Sequence, residues 1–289
     1  MNNTIVKNTE NIAWTDIIKP RTGWFDINLR EIWHYKDLIT LFVKRNFAIQ
    51  YKQSILGPLW FFIQPLLTTV VFTVIFGTIA KISTDGAPQI LFYMAGTIMW
   101  SYFANCLNNT SDTFIANAAI FGKVYFPRLT VPISLVLTNI LTFLIQFLTF
   151  IAFLIYYQLH GDALKPNIYM LLSPLLLLEM AALGMGVGIW VSSLTTKYRD
   201  LRFLLVFGVQ LWMYATPVVY PMSIIPDKWK FLMALNPMAP VVESFRYAFL
   251  GKGTVTFTEL LTSGIVTFII LASGIVMFSR IEKNFMDMV

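Results

Sequence analysis

An all-α polytopic membrane fold follows from three observations. Only 12% of the 289 residues are charged while 57% are hydrophobic, about half the charged fraction of a typical soluble domain. Several apolar stretches exceed the roughly 18–20 residues that carry a helix across a bilayer. Most Lys and Arg lie beside those stretches rather than within them, as topology determinants do. The net charge of +6 therefore reads as membrane-flanking charge that meets anionic headgroups, and no nucleic-acid partner is expected.

Residues 1–35 read as a polar cytoplasmic N-terminal segment with Pro20 and Gly23 as breakers; their mixed charge predicts no cleavable signal peptide. Residues 36–56 follow as an amphipathic interface helix. On a helical wheel Leu38, Ile39, Phe42, Val43 and Ile49 share one side, with Asp37, Lys44, Arg45 and Lys52 on the other. Residues 57–289 form the transmembrane domain, with six spans predicted at 59–80, 90–115, 130–157, 168–194, 201–220 and 257–278.

Orientation follows from the basic residues. An inside N-terminus places most of the 21 Lys and Arg in inside segments, among them Lys123, Arg128, Lys197, Arg199, Arg202, Arg280 and Lys283. Only Lys81, Lys165, Lys228, Lys230, Arg246 and Lys252 fall outside. Both termini are predicted cytoplasmic, and "TTKYRDLRFL" at 195–204 becomes a tight inside turn. Residues 217–253 are too apolar for a free loop and too rich in proline (Pro217, Pro221, Pro226, Pro237, Pro240) for one spanning helix. Two short helices dipping into the outer leaflet, as a re-entrant hairpin, satisfy both facts.

Little catalytic chemistry is visible. "GKGT" at 251–254 lacks the earlier glycine of a phosphate-binding loop, since Arg246 stands there, and has Gly253 where Ser or Thr should follow Lys. His34 and His160 are isolated and the single Cys106 can form no intrachain disulfide, so neither a metal site nor a catalytic triad is expected. Asp112 and Glu179 fall in or near spans, where a carboxylate is either paired or functional. Asp112 near a span end can stay hydrated; for Glu179 a structural hydrogen bond and a functional role both remain open. "GMGVG" at 184–188 permits close helix approach, within the chain or between copies.

Aromatic residues make up 16% of the chain. Interface belts account for many; others suit a pathway in which sugar rings slide over aromatic faces. Phe207, Gln210 and Tyr214 share one face of the fifth span and are pathway candidates, with Trp60 and Trp100 beside them, although interface anchoring suits these two tryptophans better.

Three segments, 43–77 (VKRNFAIQYKQSILGPLWFFIQPLLTTVVFTVIFG), 197–221 (KYRDLRFLLVFGVQLWMYATPVVYP) and 235–251 (LNPMAPVVESFRYAFLG), resemble in order the membrane subunits of type-2 ATP-binding-cassette polysaccharide exporters. The resemblance covers nearly everything after Asp26 and is strongest to exporters of lipid-linked O-antigen, with teichoic-acid and capsule exporters as relatives. It implies a non-enzymatic permease of six spans. Two copies would enclose a ring-lined conduit above two copies of a separate ATPase, which holds ATP and Mg. The substrate implied is a glycan on undecaprenyl diphosphate. It further implies a turn into the first span at Leu56 and Gly57, a coupling helix at 116–128 with Phe121, Lys123 and Arg128 on the ATPase, and an outer gate built on Pro217, Pro221, Pro237 and Pro240. Lys197, Arg199 and Asp200 form a second inside contact, to the ATPase or to lipid phosphate. Lys44, Arg45 and Lys52 meet the diphosphate headgroup or ordinary anionic lipid. Exporters of a small drug or lipid, proton-coupled carriers and membrane glycosyltransferases are the rival classes.

Overall fold

The computed structural model describes residues 29–51, 56–161, 164–198, 200–253 and 256–288, and every regular element among them is helical. Helix α1 (Leu29–His34) leads into α2 (Lys36–Tyr51). Helix α3 (Trp60–Phe72) continues as a π-helical stretch over Thr73–Ile79. Then come α4 (Gln89–Ser111), α5 (Thr113–Phe121), α6 (Thr130–Leu159) and α7 (Ser173–Thr195, entered through a 3-10 turn at Ile168–Leu172). Helices α8 (Leu201–Tyr214), α9 (Asp227–Ala234), α10 (Met238–Leu250) and α11 (Phe257–Met288) complete the fold.

Five of these helical stretches are long and apolar enough to cross a membrane: Trp60–Ile79, Gln89–Ser111, Thr130–Leu159, Ile168–Thr195 and Phe257–Glu282. The expected span at 201–220 is shorter than the sequence suggested. Its helix α8 has 14 residues, about 21 Å at 1.5 Å per residue against a hydrocarbon core of about 30 Å. Its end at Tyr214 comes shortly before Pro217, which has no N–H to donate and is sterically incompatible with a continuing helix. Segment 217–253 does contain two short helices, α9 and α10.

Helix α4 is the hub, packed against α3, α6, α7, α8 and α10. Glycine lets α7 approach it. A Cβ on Gly184 would stand 2.8 Å from Cys106 Cβ, and one on Gly188 2.7 Å from Thr110 Cβ. Gly186 faces the other way, where a Cβ would meet Leu271 Cα of α11 at 2.9 Å. The "GMGVG" stretch thus serves two contacts inside one chain. Helix α2 rests on α6, with Phe42 buried and its ring 5.8 Å from that of Phe126; Lys36, Asp37 and Lys44 are exposed. By contrast α3 with its π-helical continuation, and α8, leave large apolar faces uncovered, including Leu67, Val70, Val74, Phe203 and Leu204.

Candidate functional site

Three polar stripes at helical spacing converge between α3, α4 and α6. Trp60, Gln64 and Thr68 stand on α3, Ser101, Asn105 and Asn109 on α4, and Asn139, Thr142 and Gln146 on α6. Spacings of three or four residues put each set on one helix face. Together with Phe61 and Pro65 they line a cavity of about 290 Å³. Asn109 Nδ2 donates to Asn139 Oδ1 at 3.2 Å across the α4–α6 contact. Among the described residues no charged side chain lines the hollow. An amide facing hydrocarbon without a partner is strongly unfavourable, so this face requires water or another polar group. The start of α3, the end of α4 and the start of α6 place the hollow in the half of the bundle that carries α5. Phe61 on its wall stacks on Phe47 of α2, with ring centroids 6.4 Å apart.

The sequence pointed to charge and aromaticity and missed these uncharged amides. Of the expected pathway residues only Trp60 reaches the hollow, where it is half-exposed. Phe207, Gln210 and Tyr214 are exposed on the uncovered side of α8. Trp100, expected beside them, is placed in the core: it is 6% exposed, its ring 5.2 Å from Phe103 and 6.3 Å from Trp212. It lies on the side of α4 that meets α8, which covers it.

Among the headgroup candidates, Lys44 is exposed and Arg45 packs over the Phe42 ring at 4.7 Å while bonding the Asn46 side chain. Lys52, like Arg199 in the turn between α7 and α8, lies outside the described residues. The helix at the expected coupling segment begins at Thr113 and ends at Phe121. Phe121 is buried against Phe126 and under the Arg128 guanidinium, and Arg128 Nη1 donates to the Glu282 carbonyl of α11 at 2.5 Å. Lys123, Val124 and Tyr125 are left on the surface. Lys197 and Asp200 are exposed, with Lys197 Nζ 5.3 Å from the Tyr198 ring centre. Asp112, between α4 and α5, is paired with Arg202 at the start of α8 at 2.9 Å, which joins the α4–α5 junction to the start of α8. The Arg202 side chain is 56% exposed, so Asp112→Asn is expected to lower stability by no more than about 1 kcal/mol. Thermal unfolding of the detergent-solubilised protein measures this, and a larger loss would make the pair a structural latch.

The proline-rich segment is clamped by one arginine. Arg246 on α10 is 1% exposed and donates to the carbonyls of Pro217 and Val218 at 2.5 Å each and of Tyr220 at 3.4 Å. Its guanidinium lies 3.7 Å from the Phe92 ring centre and 3.4 Å from Glu243 Oε1. Glu243 in turn accepts from the Met222 N–H at 3.2 Å. Burial, partly opposed by Glu243, pulls the Arg246 guanidinium below the usual arginine range, and a guanidinium stays charged at neutral pH. Asn236 adds a second tie, accepting from Trp212 Nε1 at 3.0 Å and donating to the Ala215 carbonyl at 3.1 Å. Pro217, Pro221, Pro237 and Pro240 are all buried under these contacts. Glu179 of α7 meets the Ser263 hydroxyl of α11, which also lies 2.6 Å from the Pro237 carbonyl. Glu179 thus has a hydrogen-bonding role, and Ser263 fastens α11 both to α7 and to the α9–α10 junction.

Among the described residues no group of three or more His, Cys, Asp or Glu side chains could hold a metal ion. Comparison with known proteins decides the family: residues 37–250 match the model for the ABC-2 type transporter family. The chain belongs to that family. It is a multi-pass membrane protein and a permease of the type-2 class. It is 29% identical over 252 residues to the O-antigen export system permease protein RfbA of Klebsiella pneumoniae, covering 87% of this chain and 94% of that relative. It is 25% identical over 261 residues to the RfbA permease of Myxococcus xanthus, covering 90% and 98%. To the capsule polysaccharide export inner-membrane protein BexB of Haemophilus influenzae it is 24% identical over 256 residues, covering 86% and 92%.

Proposed function

We propose that this permease is the transmembrane subunit of an ATP-driven exporter that carries an O-antigen-type polysaccharide, linked to undecaprenyl diphosphate, across the bacterial inner membrane. One observation carries the reading: relatives named as O-antigen export permeases align with the chain over nearly their whole length. Two copies of the chain form the conduit, and the uncovered faces of α3 and α8 are the surfaces available for pairing. A separate ATPase in two copies supplies the energy and seats against the exposed Lys123-Val124-Tyr125 ridge and the turn at 197–202. Both termini are cytoplasmic. Helix α8 with the connector after it completes a sixth crossing, and α9 and α10 form the re-entrant outer gate. Lys44, Arg45 and Lys52 attract the diphosphate. A capsular polysaccharide is the second reading, favoured by the similarity to BexB.

Deleting the gene and locating the polymer tests this function. Lipid-linked glycan should accumulate on the cytoplasmic side while the surface loses it, and plasmid-borne permease should restore export. Surface glycan that is unchanged in the deletion strain refutes the reading.

A further inference from the structure

The hollow between α3, α4 and α6 contains an amide that nothing else in the described protein satisfies. Gln146 is 6% exposed and lines the cavity, yet its side chain makes no hydrogen bond with the described residues. Its amide is open to the hollow rather than sealed in the core, and Gln64 and Asn105 are exposed, so these groups are satisfied by whatever polar matter fills the space. Gln64 and Asn105, on the facing walls, have no side-chain partner among the described residues either. The cavity of about 290 Å³ holds far more than one water, whose share of liquid volume is about 30 Å³.

We propose that this hollow is a subsite for one uncharged, hydroxyl-rich ring of the transported glycan, held by Gln64, Asn105 and Gln146 with Trp60 at its rim. The proposal rests on the polysaccharide-export reading above and names what the permease grips. Each amide carries two donors and an acceptor, and sugar hydroxyls both donate and accept, so the two sets pair without either being ionised. Trp60 offers a ring face to the C–H side of a sugar. Because no Lys, Arg or His among the described residues lines the hollow, a phosphate or carboxylate entering it would surrender its hydration with none of their cations in return. The subsite therefore selects neutral rings, and the diphosphate stays with the basic residues of α2. Acyl chains are disfavoured by the amides, which would lose their hydration to hydrocarbon.

Asn105→Leu combined with Gln146→Met removes the hydrogen bonds at nearly constant volume. In the deletion strain, this double variant should reach wild-type abundance in the membrane but export the native glycan roughly tenfold less, the effect of losing two net hydrogen bonds. Leu148→Met, on the lipid-facing side of α6, should export normally. Purified wild-type permease should show a saturable change in tryptophan fluorescence with a neutral dextran tetrasaccharide. The change should disappear in Trp60→Phe and in the double variant, and should not occur with a sulfated tetrasaccharide. Normal export by an abundant double variant overturns the subsite. If that variant is lost from the membrane, the binding measurement decides: no saturable response from the wild-type protein to the neutral probe, or an equal response to the sulfated one, also overturns it. Failure of the export reading itself is a separate result, in which the gene deletion leaves surface glycan unchanged.

Discussion

Arg246→Met is expected to be the most damaging single substitution in the permease, with a loss of about 3–5 kcal/mol of stability and little folded protein in the membrane. The guanidinium is 1% exposed and serves four oxygens at once: three backbone carbonyls of the connector after α8 and the Glu243 carboxyl. Removing it strands a buried carboxyl and leaves the Pro217 and Val218 carbonyls without this donor inside the protein, which is the expensive way to break a buried pair. Space is equally constrained, since a Cβ on Gly96 would lie 2.6 Å from both Arg246 Nη2 and the Val218 oxygen. Arg246→Lys keeps the charge but not the planar fork that reaches two carbonyls side by side, and should fall between wild type and methionine. Adding Glu243→Gln to Arg246→Met should recover part of the loss, because the neutral amide no longer needs a cation. Unfolding midpoints in one detergent, read with membrane abundance, provide the double-mutant cycle. If Arg246→Met unfolds at the wild-type temperature, the connector is held by something other than this clamp.

How much of this was legible in the sequence depended on the kind of signal. The helical class, five apolar spans and the two short helices in the proline-rich segment follow from hydrophobic run length and from proline's missing N–H, both local properties. The early end of α8 was signalled by Pro217, but a residue that stops a helix does not say how the freed carbonyls are satisfied. That answer comes from Arg246, some thirty residues away, whose charge in the sequence does not show which carbonyls it meets. Trp100 shows a second limit. Its residue type suits a conduit, yet which side of α4 it occupies depends on where α8 packs. The hollow was within reach: Gln64–Thr68, Ser101–Asn105–Asn109 and Asn139–Thr142–Gln146 are each spaced for one helix face. Uncharged amides in apolar spans are quieter than carboxylates, and only the packing of α3, α4 and α6 brings the three stripes together. "GMGVG" announced a close approach, but not that it would face two helices of the same chain.

That close approach carries the last prediction. Gly188→Ala places a methyl 2.7 Å from Thr110 Cβ and 2.8 Å from the Leu107 carbonyl oxygen. These neighbours are a branched side chain and backbone, so neither can swing aside, and α7 must move away from α4. Overpacking of this kind typically costs about 1–3 kcal/mol, and in a bilayer the close fit itself is a main source of helix affinity. The damage should extend beyond stability, because Thr110 follows Asn109 on α4. A shift of that helix moves the Asn109–Asn139 bond and the floor of the hollow with it. Gly264→Ala on α11 is the control: a Cβ there meets nothing within 4 Å in the chain, and alanine is favoured over glycine in a helix by about 1 kcal/mol. Unfolding midpoints should therefore fall for Gly188→Ala and hold or rise for Gly264→Ala. Equal midpoints for the two variants would mean that α4 and α7 are not in backbone contact at Gly188, and the hub assigned to α4 would have to be redrawn.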